Sequence, residues 1–345
     1  MTAAPSAAAA AAADAVAYPK VELHVHLEGA VSPAALLAAA RRNGFALPVA
    51  TVEELADFMR FRDFEHFVEA WFATTPALQT EHDYRELVVD YARRAQGHGA
   101  VYLGAIFSPC DKLDQGIDLE TVFTGFADGV QAAREQLGIE VRLTPDITRG
   151  VDLEVAERTA ELAVRFKDRG VVALGLGGLE AQFPPEPYAP AFEIARAGGL
   201  GSVPHAGEVA GPASIRGALD ALRADRIRHG VRAVEDPGLL RELADRRMVL
   251  DVCVLSNVRL SVVDAVADHP LPQLLAAGVP CTVNTDDPTF FACELDAEHA
   301  AARALGADPR ALFDAGVEGA LCEPELKARL RAAADAFPWE RAAAA

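Results

Sequence analysis

The chain has 345 residues, enough for one large barrel or two ordinary domains. Hydrophobic residues make up 51% and charged residues 24%, which predicts a well-buried core and argues against disorder. A net charge of −19 repels phosphate backbones, so nucleic acid is excluded as an expected partner, and no apolar run reaches the ~18–20 residues that span a bilayer.

The chain opens on low-complexity alanine, "MTAAPSAAAAAAADAVA", over residues 1–17. It has no basic n-region and no bulky apolar core, so it is not a secretory signal. It is expected to be a disordered leader, followed by a single domain over 18–345 with no internal boundary. Cys110, Cys253, Cys281, Cys293 and Cys322 are odd in number and form no CxxC pair. They read as reduced thiols in a cytoplasmic protein rather than a disulfide framework or a thiolate zinc site.

Eight short apolar runs then read as buried strands, at 20–26, 100–108, 140–147, 170–177, 200–207, 225–231, 247–255 and 280–286. Turn residues and helical periodicity follow each one. Strand–helix alternation argues for a parallel sheet, and eight units argue for a (β/α)8 TIM barrel. An open flavodoxin-like sheet is the rival architecture. Eight strands without a glycine-rich nucleotide turn disfavour it. Residues 27–99 form a long interval between the first two strands and carry four helical patterns, beginning at "SPAALLAAARRNG". Ser32 before Pro33 predicts an N-cap with proline at the first helical position. An insertion there belongs on the C-terminal face of the barrel, over the active site. Further helices are expected after the eighth strand.

Chemistry-bearing residues gather at the strand ends. "HVH" places His24 and His26 on one face of the first strand, ~6–7 Å apart along it and able to reach one metal. Taken alone, the pattern reads equally well as two ordinary histidines. The fifth strand ends in "HAGE", with His205 and Glu208. The sixth ends in "RHG", with His229. The eighth ends in "NTDDP", with Asp286 and Asp287. In a barrel all of these converge on one mouth. His24, His26, His205 and Asp286 are ligands of the type catalytic zinc takes, and such a metal lowers the pKa of a bound water to about 7. Glu208 and His229 remain as acid and base candidates. Asp287 follows a ligand directly, so its side chain is expected to aim at substrate. The remaining histidines, His66, His82, His98, His269 and His299, are expected to be surface or packing residues. The fourth strand ends in "VALGLGG" with no lysine or carboxylate to bridge a second ion, so one Zn2+ is expected.

With these motifs in order, the chain resembles the adenosine deaminase family of the amidohydrolase superfamily over nearly everything after residue 17. The matching segments are "HVHLEGA" (24–30), "HAGE" (205–208), "RIRHGV" (226–231), "LSN" (255–257) and "NTDDP" (284–288). The resemblance implies that His24, His26, His205 and Asp286 hold zinc. It implies that Glu208 gives a proton to purine N1, and that His229 orients the attacking water and accepts its proton. Asp287 would hydrogen-bond N7, and the backbone N–H of Gly178 would meet N3. The implied reaction is hydrolytic: hydroxide adds to C6 of a 6-aminopurine, ammonia leaves and a 6-oxopurine remains.

The departures lie at the sugar end. Family members usually carry "HLDG", where this chain has Glu28. They carry "DLAGDE" at strand four, where this chain has "GLGGLE". "GLGG-E" followed by "PPE" resembles a subgroup that deaminates 6-amino-6-deoxyfutalosine, an adenine nucleoside whose sugar extends into a carboxybenzoyl group on the futalosine route to menaquinone. Lost side chains at strand four suit a larger sugar substituent, and Arg149 is a candidate cation for its carboxylate. The expected partner is therefore a small-molecule aminopurine nucleoside. Adenosine or free adenine is the alternative substrate. A catalytically silent purine binder is the alternative of another class, and the complete set of ligands and proton carriers argues against it.

Overall fold

The computed structural model describes residues 18–340, so the expected leader over 1–17 lies outside the described residues. Eight strands pair in chain order, each parallel to the next. They are β1 (Lys20–His26), β2 (Ala100–Phe107), β3 (Glu140–Thr148), β4 (Ala173–Gly177), β5 (Gly201–Ala206), β6 (Ile227–His229), β7 (Leu250–Val252) and β8 (Cys281–Val283). The sheet closes on itself where Val25 pairs with Asp286: His26 N–H donates to the Asp286 carbonyl at 2.8 Å and Asp286 N–H to the His24 carbonyl at 3.1 Å. The result is the expected (β/α)8 barrel.

The interval between β1 and β2 is helical as predicted: α1 (Pro33–Asn43), α2 (Val52–Met59), α3 (Phe64–Thr74) and α4 (Glu81–Gly97). Ser32 caps α1, its hydroxyl accepting from Ala35 N–H at 3.2 Å with Pro33 in the first turn. Thr51 and Thr80 open α2 and α4 with capping boxes. Helix α4 packs on α5 (Leu119–Leu137) in the outer ring, whereas α3 lies over the barrel mouth and presents Phe67, Val68, Trp71 and Phe72 to a cavity there.

Strands β6 to β8 are shorter than their apolar runs. The chain leaves β6 at His229 and Gly230, both at positive φ (59° and 68°), and an α-helix, Val254–Arg259, begins two residues after β7. Hydrophobicity marks burial on either side of these junctions, so it does not mark where a strand stops. The barrel interior is polar in places. Arg228 and Asp146 are both buried and meet at 2.5 Å, and Arg226 meets Asp251 at 2.6 Å.

Candidate metal centre and catalytic cavity

Four ligand atoms converge at the C-terminal mouth. Nε2 of His205 lies 3.1 Å from Nε2 of His24 and 3.3 Å from Nε2 of His26. Oδ1 of Asp286 lies 3.2 Å from His24 Nε2 and 3.4 Å from His26 Nε2. A tetrahedral ion with bonds of about 2.0–2.1 Å would set its ligand atoms about 3.3 Å apart, so the residues present fit a zinc-sized cation. Burial pushes the His24 imidazole well below its ordinary pKa and His26 to about 4, which leaves their rings neutral and their lone pairs open to a metal. His205 sits with Nδ1 at 3.0 Å from the Leu176 carbonyl, which directs Nε2 to the same point.

Backbone strain collects at this site. His229 and Asp286 both adopt left-handed φ, 59° and 64°, a region that costs a non-glycine residue ~1–3 kcal/mol. The barrel-closing hydrogen bonds hold Asp286, and Ser256 Oγ donates to its Oδ2 at 2.6 Å. Register pairing with Ala206 holds His229.

Glu208 and Asp287 face the same space. Burial, and then the carboxylates of Asp286 and Glu180, raise the Glu208 pKa well above the usual range. Its Oε1 has no hydrogen-bond partner among the described residues and lies 3.5 Å from His229 Nε2. Asp287 is likewise raised well above its usual range, by burial and then by Asp286, Glu28 and Glu208. Both carboxyls are thus suited to be proton donors. Gly29 makes room for Asp287: a Cβ there would lie 1.7 Å from Oδ1.

The cavity of about 550 Å³ joins these groups. Its lining includes His26, His205, Glu208, His229, Asp286, Asp287 and Gly178, so it brings together the predicted proton carriers and most of the predicted ligands. Gly178 has φ +90°, which a side chain rarely adopts, and its backbone forms part of the wall. Ser108, Asp111 and Thr148 give one polar stretch of wall. Phe72, Leu179 and Val209, among the most exposed large apolar residues of the chain, give an apolar rim.

Two expected sugar-end residues lie elsewhere. Glu28 is buried outside the cavity lining and accepts from Ser108 N–H at 3.0 Å. Arg149 is buried too, its guanidinium donating to the carbonyls of Phe183 at 2.5 Å and His205 at 2.7 Å. Each supports a neighbour of the cavity rather than lining it.

The empty end of β4 has a structural reason. A Cβ on Gly175 would lie 2.0 Å from Asp146 Oδ1, and one on Gly177 would lie 2.8 Å from Asp146 Oδ2. Asp146, reaching over from β3 and paired with Arg228, fills the space where the family pattern has its first aspartate. It also lies 3.4 Å from His205 Nδ1. At the second aspartate of the pattern stands Leu179, half-exposed in the cavity wall.

Several supporting residues carried no signal of their role in the sequence. His269, expected to be surface or packing, is buried and accepts from Leu271 N–H through Nδ1 at 3.0 Å. Its Nε2 faces Asn257 Oδ1 at 3.2 Å, and Asn257 Nδ2 faces His229 Nδ1 at 3.2 Å. Asn257 belongs to the "LSN" segment, which is the one hint available. Glu22, Glu180 and Glu298 are buried carboxylates that hold backbone N–H groups of the strand-end segments.

A family model described as adenosine deaminase matches residues 19–336. An aminodeoxyfutalosine deaminase of Acidothermus cellulolyticus is 47% identical over 94% of this chain and 93% of its own. An adenine deaminase of Streptomyces coelicolor is 41% identical over 79% of this chain and 80% of its own. The crystal structure of an amidohydrolase from Burkholderia ambifaria with bound Zn superposes with a TM-score of 0.84 at 26% identity, covering 99% of this chain and 95% of that one.

Proposed function

The chain belongs to the adenosine deaminase family, hydrolases that act on C–N bonds, and from that membership we propose that it deaminates 6-amino-6-deoxyfutalosine to futalosine and ammonia, a step of menaquinone synthesis. The observation that carries the deaminase chemistry is one cavity that borders a four-ligand cluster and is lined by a partly buried carboxyl at Glu208 and a buried one at Asp287. One zinc ion held by His24, His26, His205 and Asp286 would supply a Lewis acid that makes water nucleophilic at neutral pH. Glu208 holds the proton that purine N1 needs as C6 is attacked, which avoids building negative charge on the ring. Purine N7 is an acceptor, so a protonated Asp287 is the right partner for it. His229 orients the attacking water from Nε2, and Gly178 brings backbone against the ring.

Support for the substrate comes from the cavity beyond the purine end. Ser108, Asp111 and Thr148 suit sugar hydroxyls, while Phe72, Leu179 and Val209 suit an aryl extension rather than bulk water. The aminodeoxyfutalosine deaminase relative also matches more of the chain at higher identity than the adenine deaminase does. Five cysteines, none of them in a disulfide, support a cytoplasmic setting. Among the described residues, no helix is long and apolar enough to cross a membrane.

The test is a panel of aminodeoxyfutalosine, adenine and adenosine with ammonia detection. The expected result is the highest kcat/KM for aminodeoxyfutalosine. A clear preference for adenine or adenosine would replace the substrate and leave the chemistry standing.

A further inference from the structure

The loop after β5 carries Glu208 but belongs to no ladder of its own. Residues 207–210 are irregular, and Gly207 turns at φ +74°. Four successive backbone N–H groups there point at one side chain. Glu180 Oε1 accepts from Gly207 N–H at 2.5 Å and from Ser214 Oγ at 2.6 Å. Its Oε2 accepts from Glu208 at 3.1 Å, Val209 at 2.8 Å and Ala210 at 2.9 Å. The amides form a concavity of the kind that binds an anion, and the chain supplies that anion itself. Glu180 is 5% exposed and lies just beyond the glycine end of β4, in the wall of the catalytic cavity.

We infer that Glu180 is a positioning residue: it fixes the backbone of the 207–210 loop so that the Glu208 carboxyl meets the substrate ring nitrogen. The inference rests on the assignment of Glu208 as proton donor. A general acid works only within hydrogen-bond reach of its target, and a displacement of ~1 Å costs on the order of 10²-fold in rate. Among the described residues, the other hydrogen bonds to the 207–210 backbone are Arg232 N–H donating to the Gly207 carbonyl at 3.0 Å and Arg232 Nη1 donating to the Val209 carbonyl at the exposed edge, so Glu180 alone engages all four amides. The acceptor count also explains why a carboxylate stands here. Both oxygens face only donors, so a glutamine amide in either orientation turns its own N–H groups against backbone N–H groups.

The experiment compares wild type, E180Q, E180D and S214A as metal-loaded enzymes, with E208Q as the floor, on whichever substrate the wild type turns over best. For E180Q the expected result is a loss of about 10²-fold in kcat, the low end of a general acid's contribution, with KM changed less than about threefold. Metal content should stay at the wild-type level. Amide hydrogen exchange at 207–210 should speed up while the rest of β5 stays protected. E180D keeps two acceptor oxygens and should recover part of the rate. S214A removes one donor and should lie near wild type. An E180Q kcat within about threefold of wild type, or unchanged exchange at 207–210, overturns the inference. So does loss of bound metal, which would mean that Glu180 acts through His205. If E180Q does not fold, E180D is read by the same kcat and exchange criteria. A change of preferred substrate leaves this comparison intact. An E208Q enzyme that turns over normally would instead remove the proton-donor assignment beneath it.

Discussion

His229 shows how one backbone group reaches into the chemistry. The N–H of Leu271 can only donate, so His269 Nδ1 must accept and carries no proton. His269 then holds its proton on Nε2 and donates to Asn257 Oδ1, which turns the Asn257 amide nitrogen toward His229 Nδ1. His229 accepts there and, when neutral, carries its own proton on Nε2, the nitrogen that faces Glu208 and Asp286. Burial lowers its pKa to about 3, so the neutral ring is the resting form. The family resemblance gives His229 two tasks, orienting water and taking its proton. The hydrogen-bond chain prepares the first, because an N–H aimed into the cavity holds a water oxygen. The expected 15N spectrum has His229 Nε2 as the protonated nitrogen and Nδ1 as the bare one. In Asn257→Asp the new carboxylate should draw the proton to Nδ1 and exchange the two signals. A wild-type ring already protonated at Nδ1 would break this chain of reasoning.

At the scale of elements, local signals were legible and long-range partners were not. Eight apolar runs gave the strands, and Ser32–Pro33 gave the start of α1, because burial and capping are written in neighbouring residues. The candidate ligand cluster was legible because strand ends in a barrel share one mouth. Glu180, Glu22 and Glu298 were not, because each grips a segment distant in sequence: 207–210, Thr285, and Val254–Ser256. Glu22 lies within β1, Glu298 within the helix Leu295–Ala304 and Glu180 just past β4, and no local pattern names the distant segment each one holds. The reach of Asp146 from β3 to Arg228 on β6 escaped for the same reason. An exposed element end gives a contrasting case. Asp236 caps helix Pro237–Asp245, accepting from Gly238 N–H at 2.8 Å and Leu239 N–H at 3.1 Å, while Arg216 donates at 2.8 Å. The Arg216 hydrogen bond, with the capped amides, lowers its pKa to about 2. A depressed carboxyl stabilises the fold above its unfolded pKa of ~3.9 and loses that contribution as pH falls toward the folded value. Asp236→Ala should therefore lower Tm at pH 7, with the gap to wild type narrowing between pH 4 and pH 2. A gap that is constant down to the lowest pH at which both fold would assign the effect to packing instead.

The whole molecule is drawn together at the metal cluster. Its candidate ligands lie on β1, on β5 and three residues beyond β8, so one ion would join the first and last strands of the barrel to the strand opposite. The same Asp286 that offers Oδ1 also closes the sheet through its backbone, at a strained φ of 64°. The ring nitrogens of His24, His26 and His205 face one another at 3.1 and 3.3 Å beside the Asp286 carboxylate, a donor set that suits a shared cation. An ion that binds this native arrangement and not the unfolded chain stabilises by mass action, about 4 kcal/mol when its concentration is 1,000 times Kd. Chelation should therefore lower Tm, and titrating zinc back should restore it in proportion to the logarithm of free metal. His205→Ala removes the nitrogen shared by both close contacts. It should lose bound metal first, and its Tm should no longer respond to chelator. The response belongs to the whole barrel, since the candidate ligands lie on or just beyond strands separated by most of the chain. If wild type melted at the same temperature with and without chelator, while elemental analysis showed the metal removed, the cluster would be a catalytic site without a structural share. The strained closure at Asp286 would then be held by its hydrogen bonds alone.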